Sequence, residues 1–198
     1  MRVRWLNSMT ERTWRQVGLS LLLAITAVGA GKIDPVNVTP GAEHPATRNF
    51  VLLRHAEKET GVQDPGLTQV GHARANFIAD WWGDPRRKIE VVWSSNYRRT
   101  RETAGPLAEQ LGVQIRIYDA DDLPALAARL REEDVNAVVI GHSNTTPQLA
   151  ALLCACEVPP MDETDYERAY QVFRMNNKFG LLAVDFRKAW SDRPAPAD

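Results

Sequence analysis

Two of the four histidines stand in equivalent places, each at the end of a short apolar run. Phe50-Val51-Leu52-Leu53 leads into Arg54-His55, and Ala137-Val138-Val139-Ile140-Gly141 leads into His142. Runs of this kind read as strands buried on both faces, and open α/β sheets gather their ligands at the carboxyl ends of such strands. If the two strands lie side by side, both imidazoles and Arg54 converge on one crevice. A further contribution comes from Ser94-Ser95-Asn96-Tyr97-Arg98-Arg99-Thr100, a strand-to-helix turn with capping hydroxyls that offers free backbone N–H groups beside arginines. His142-Ser143-Asn144-Thr145-Thr146-Pro147 is laid out in the same way. Thr146 is the expected cap there and Pro147 the first helical residue, so the helix aims its positive end at His142. Histidines, arginines and helix N-termini facing one spot describe a phosphate site.

The elements that must position these groups alternate between strand and helix from residue 48 onward, which predicts an α/β domain of three layers, α/β/α, around a mostly parallel central sheet. Strands are expected at 49–54, 89–94, 113–118 and 135–141. A hairpin at 167–175 and 179–186 turns on Asn176-Asn177-Lys178. The first helix should run over 68–82, capped by Thr68 and ended by Gly83 and Pro85, with Val70, Ala73, Phe77 and Trp81 facing inward. The second covers 96–111 with an inward stripe of Tyr97, Thr100, Ala104, Leu107 and Leu111. The third covers 123–133, capped by Asp121 or Asp122, and the fourth begins near Pro147. No internal repeat is present.

Residues 1–30 are of a different kind. Arg2, Arg4, Arg12 and Arg15 precede an apolar stretch from Val17 to Ala30 that closes on Val28-Gly29-Ala30 before Gly31. This is the layout of an export signal, and it places the domain outside the cytoplasm, in the periplasm or its equivalent. The alternative is an uncleaved anchor, but the stretch falls short of the ~20 residues a spanning helix needs. Membrane contact is expected only through this leader if it is kept. Without the leader the chain carries 20 basic and 24 acidic residues and no basic stripe, which argues against a nucleic-acid partner. Residues 31–47, with Pro35, Pro40 and Pro45, read as a linker, 48–190 as the working domain, and 191–198 as a polar tail. Cys154 and Cys156 are the only cysteines; a bond across one intervening residue demands unusual geometry, so they read as two buried thiols at a helix end. No four-ligand zinc spacing is present.

Four blocks in order then carry a resemblance: Arg54-His55-Ala56 after the first strand, Leu67-Thr68-Gln69-Val70-Gly71 at a helix start, Ser94-Ser95-Asn96-Tyr97-Arg98-Arg99-Thr100-Arg101-Glu102-Thr103-Ala104, and His142 after the fourth strand. They resemble the Arg-His-Gly, Leu-Thr-x-x-Gly, Ser-Ser-x-x-x-Arg-x-x-x-Thr-Ala and second-histidine signatures of the histidine phosphatase superfamily, whose fold is phosphoglycerate mutase-like. The resemblance implies that His55 attacks phosphorus as a neutral imidazole, and that water then hydrolyses the phosphohistidine. It implies that Arg54, Arg99 and His142 hold the non-bridging oxygens, with no metal and no cofactor. In the relatives a carboxylic acid, often from the region after the third strand, protonates the leaving oxygen. Asp119, Asp121 and Asp122 all lie there. One of the latter two is expected to serve as a helix cap, so Asp119 is the first candidate and Glu57 the outside one.

Other groups have weaker claims. His72 reads as solvent-exposed on the first helix, His44 lies in the linker, and Lys58 reads as a solvated loop lysine. The chain departs from the family at Ala56, where glycine is usual, so the loop after His55 must avoid positive φ or bear strain. Glu57-Lys58-Glu59-Thr60-Gly61 also lacks the Ser-x-Trp-Asn continuation of the mutases, and the domain is short, which favours hydrolysis over mutase transfer. The expected activity is therefore an exported, metal-independent phosphomonoesterase acting on a small phosphorylated substrate. The leader and short domain resemble bacterial enzymes that dephosphorylate lipopolysaccharide-core heptose, which makes an envelope sugar phosphate the first substrate class. The alternatives are a non-catalytic phosphate-binding domain of the same fold and a phosphomutase. Oligomeric state is not legible.

Overall fold

The computed structural model describes residues 47–176 and 178–193. The expected leader and the linker up to residue 46 lie outside the described residues, as does the tail from residue 194.

Alternation along the first strand builds both faces of the molecule. In β1 (Arg48–Arg54), Phe50 and Leu52 enter one apolar cluster and Val51 and Leu53 the other. Each cluster needs its own cover of helices, hence three layers. The sheet is completed by β2 (Val91–Ser95), β3 (Ile115–Tyr118), β4 (Ala137–Gly141), β5 (Arg168–Met175) and β6 (Lys178–Asp185). Their spatial order is β3-β2-β4-β1-β5-β6. The first four of these are mutually parallel, while β5 runs antiparallel to β1 and β6 antiparallel to β5. α1 (Gln69–Trp82) and α2 (Arg98–Leu111) cover one face together with α5 (Arg187–Ser191) and the preceding Phe186. α3 (Leu123–Glu132) and α4 (Thr145–Cys154) cover the other. The three-layer α/β/α fold is thus the one the sequence predicts.

The condition on which the crevice depends is met by the register: β1 pairs with β4 so that Arg54 lies opposite Gly141, and the His55 N–H donates to the Gly141 carbonyl at 2.9 Å. Gly141 leaves little room for a side chain: a Cβ there would sit 3.0 Å from both the Thr145 and the Tyr118 hydroxyl, which would have to give way. Gly71 is required for a similar reason. α1 passes so close to the loop after His55 that a Cβ would lie 2.1 Å from the Glu57 carbonyl oxygen.

α1 begins at Thr68 as expected, the side chain accepting from the Gly71 N–H at 3.1 Å. Its inward face is not the expected one. Val70 is exposed and Ala73, Phe77 and Trp81 are half-buried, while Gly71, Arg74, Ala75, Ile78, Ala79 and Trp82 point to the core. The apolar pattern misleads because an arginine holds a core position. Arg74 donates to both carboxylate oxygens of Glu57, at 2.6–2.9 Å, and to Glu167 at 2.9 Å, and it stacks on Trp190 at 4.1 Å. Replacing Arg74 by leucine leaves two carboxylates beside the core without a partner. The expected loss is about 3–5 kcal/mol, read as a lower urea midpoint; an unchanged midpoint contradicts this account of the pair.

The cysteines also differ from expectation. Cys154 and Cys156 form a disulfide with Cα atoms 5.2 Å apart, Cys156 is exposed, and neither is a buried thiol. The backbone explains it: Ala155 ends α4 in the left-handed region, at φ 52°, and turns the chain back on itself. Among the described helices none is long and apolar enough to cross a membrane.

Candidate active site

The carboxyl ends of β1, β2 and β4 open into a cavity of about 950 Å³. His55, Arg99 and His142 line it together, with Lys58, Tyr97, Asp121, Ser143 and Glu163 around them. An apolar wall comes from Leu123 and Pro124 of α3 and Ala151 and Leu152 of α4. The two imidazoles stand edge to face with ring centroids 5.5 Å apart.

His55 is buried, and its Nδ1 lies 2.7 Å from the Ala56 carbonyl oxygen. A carbonyl can only accept, so Nδ1 carries the proton and Nε2 keeps its lone pair. Burial above all, aided by the positive charge of Arg54 and Arg99, lowers the His55 pKa to about 3 against the opposing pull of the Ala56 hydrogen bond. The ring is therefore neutral, which is the nucleophilic form. Ala56 does not adopt positive φ, so the alanine in place of glycine brings no strain of that kind. Its N–H donates to Thr103 Oγ1 of α2 at 3.0 Å, which pins the loop.

His142 is fixed by a directed chain. Arg99 Nη2, a donor only, lies 3.3 Å from Nδ1, so Nδ1 accepts and Nε2 donates to Ser95 Oγ at 3.0 Å. Ser95 Oγ donates to Thr100 Oγ1 at 3.0 Å, whose single hydrogen is shared between the Tyr97 and Ser95 carbonyls at 2.8 and 2.9 Å. The hydroxyls at the end of β2 thus orient a histidine instead of capping α2, whose first turn has no side-chain cap. Tyr97, expected on the inward stripe, is exposed and sets its edge against the His142 ring at 5.0 Å. Burial, then Arg99 and Arg54, lowers the His142 pKa to about 4. α4 begins two residues before the expected start: Thr145 Oγ1 accepts from the His142 N–H at 3.0 Å, and Thr146 Oγ1 donates to the Leu53 carbonyl instead of capping.

Both depressed histidines bear on stability. Below about pH 6.5 the unfolded chain protonates these imidazoles, while the folded protein leaves them neutral. The unfolded state then binds more protons, so stability falls as pH drops from about 6.5 toward about 4. The urea midpoint is expected to fall between about pH 7 and about pH 5, and to fall less in His55→Gln. An equal fall in both proteins contradicts the assignment.

The remaining sequence candidates are placed as follows. Arg99 Nε is buried and without a partner among the described residues, and its guanidinium lies 4.5 Å over the Tyr97 ring. Arg54 is buried directly behind the cavity and does not line it. Asp119, the first candidate for the acid, accepts from the Asp121 N–H at 3.0 Å and lines a neighbouring cavity with Asn96 and Ile117. One of its oxygens serves the turn, and it does not line the His55 cavity. Asp122 caps α3 by accepting from the Ala125 N–H, and Glu57 is committed to Arg74. Asp121 alone among these carboxylates lines the cavity with His55. His72 is exposed on α1, His44 lies outside the described residues, and Lys58 is half-buried on the cavity wall. Glu163, Ser143 and Tyr166 were not singled out by the sequence. Ser143 is at least adjacent to His142, but Glu163 and Tyr166 sit in an irregular segment with no periodic signal.

Residues 50–122 match the model of the histidine phosphatase superfamily (branch 1), a stretch that holds His55 and Arg99. The protein histidine phosphatase SixA, solved with tungstate, superposes with a TM-score of 0.57 at 20% identity, over 69% of this chain and 96% of that one. The fold is that of the histidine phosphatases. A mycobacterial glucosyl-3-phosphoglycerate phosphatase superposes equally well, with a TM-score of 0.57 at 17% identity, over 70% of this chain and 98% of that chain. Among curated relatives, the 2,3-bisphosphoglycerate-dependent phosphoglycerate mutase of Bartonella quintana (strain Toulouse) is 33% identical over 95 residues, 44% of this chain and 43% of that enzyme. The chain thus spans less than half the length of this relative. The family match covers residues 50–122, and over the rest of the domain the likeness is one of fold.

Proposed function

We propose that this chain is a phosphomonoester hydrolase that works without a metal ion through a phosphohistidine on His55. The observation that carries the reading is a neutral His55, its proton fixed on Nδ1, on the wall of a cavity shared with Arg99 and His142. His55 Nε2 attacks phosphorus as the phosphorus–oxygen bond to the leaving alcohol breaks. Arg99 and the Nδ1 edge of His142 meet the non-bridging oxygens; the incoming dianion draws a proton onto His142, which then donates. Asp121 protonates the leaving oxygen, replacing Asp119 in that role, and takes the proton back from the water that cleaves the nitrogen–phosphorus bond.

A small phosphorylated substrate is supported by the glucosyl-3-phosphoglycerate phosphatase among the structural relatives, and the leader supports an exported enzyme with an envelope sugar phosphate as the first class to screen. A phosphomutase is the second reading, favoured by the mutase relatives. Phosphate release from an aryl phosphate by the full chain in EDTA, beside a product assay with a sugar-phosphate acceptor, tests both. Release of inorganic phosphate supports hydrolysis. Transfer to the sugar without release overturns it.

A further inference from the structure

Arg54 is held in a way that its place in the motif does not foretell. A guanidinium carries five N–H donors. Both Nη1 hydrogens go to main-chain carbonyls, those of Asp162 at 3.2 Å and of Glu163. The two on Nη2 go to a Glu163 carboxylate oxygen at 3.0 Å and the Tyr166 hydroxyl at 3.4 Å. Only Nε is without a partner among the described residues. The Tyr166 ring lies 4.2 Å from the guanidinium carbon and covers one face. With its side chain 2% exposed, Arg54 offers no Nη hydrogen to a ligand in the cavity.

Only one of these partners is both charged and free to swing. Two are backbone carbonyls and Tyr166 is a neutral hydroxyl. The Glu163 side chain is 78% exposed and lines the cavity with His55 and His142. Its second oxygen accepts from Ser143 Oγ at 2.5 Å, and Ser143 follows His142 directly. A carboxylate presents two oxygens to an arginine much as one edge of a phosphoryl group does, so the two compete for the same donors.

Building on the phosphatase reading above, we propose that Glu163 is an internal stand-in for the substrate's phosphoryl group. It occupies Arg54 and Ser143 in the free protein, and a phosphoryl dianion must displace it to reach Arg54. Charge drives the exchange, because a dianion attracts Arg54 and repels Glu163 at once. Apparent affinity for phosphate is lowered by the fraction of molecules in which Glu163 holds the arginine. Glu163 is thus a positioning residue that makes Arg54 available on arrival of substrate and reclaims it as product leaves.

The test is calorimetric titration of inorganic phosphate into the full chain as wild type, Glu163→Gln, Arg54→Ala and the double variant. Glutamine keeps the size of the side chain and removes its charge. Glu163→Gln is expected to bind phosphate about tenfold tighter than wild type, with KM for an aryl phosphate falling in step. In the Arg54→Ala background the same change should have no effect. Equal or weaker binding by Glu163→Gln, or an equal gain without Arg54, overturns the stand-in while leaving the phosphate site intact. Absence of phosphate binding in every protein overturns the phosphatase reading beneath it.

Discussion

Replacing His55 by glutamine is expected to lower turnover of an aryl phosphate by about 10⁴-fold or more, because the residue removed is the nucleophile itself. The expectation rests on three features of one side chain. Its proton is committed to the Ala56 carbonyl, burial keeps the ring neutral, and the neighbouring Arg54 and Arg99 add to that effect. Those surroundings also determine what survives the substitution. Arg99 and His142 stay in place, so phosphate binding persists while covalent chemistry is lost. The check is kcat in EDTA together with phosphate affinity for the same variant. A loss of less than about tenfold shows that another group attacks phosphorus.

Replacing Arg99 by alanine is expected to lower kcat/KM by about 10²–10³-fold, and lysine should restore little of it. Arg99 Nε is buried and unpartnered among the described residues, and Nη2 already touches Nδ1 of His142 at 3.3 Å. The planar fork reaches the anion and the histidine together, which a single ammonium cannot do. A second signature separates this from a loss of fold. Arg99 is the leading charged neighbour that depresses His142, second to burial, so the His142 pKa should rise in Arg99→Ala when followed by proton NMR. An unchanged His142 titration in the variant contradicts the contact.

The parts of the site that lie on strands were the parts the sequence made legible. β1 and β4 are buried on both faces, so they read as unbroken apolar runs, and the residue after each run falls at the carboxyl edge of the sheet. Arg99 was legible through its offset from Ser94-Ser95, which places it second in α2. The misreadings share a cause as well. Periodicity assumes that core positions are apolar, and Arg74 breaks that assumption, which shifts the apparent face of α1. Serine and threonine before a helix look like caps, whereas Ser95 and Thr100 form the chain that orients His142. The Cys154–Cys156 bridge depends on a left-handed alanine, a conformation that composition does not announce. Asp119 and Asp121 are alike in sequence; both line the neighbouring cavity, and of the two Asp121 alone also reaches the cavity that holds His55. Glu163 had no signal, because its role is set by a contact with Arg54 across 109 positions of chain.

These features make one arrangement. Parallel strands deliver two histidines to the same edge, α2 brings an arginine over them, and the segment before β5 closes behind Arg54 with a carboxylate of its own. The central claim is that a covalent bond forms between phosphorus and His55 Nε2. It is tested most directly by mixing the full chain with a labelled phosphomonoester, quenching in alkali within one turnover, and mapping the label. An alkali-stable, acid-labile phosphoryl group is expected on the peptide that carries His55, absent from His55→Gln. Full turnover with no label on the protein, or label on any other residue, contradicts it.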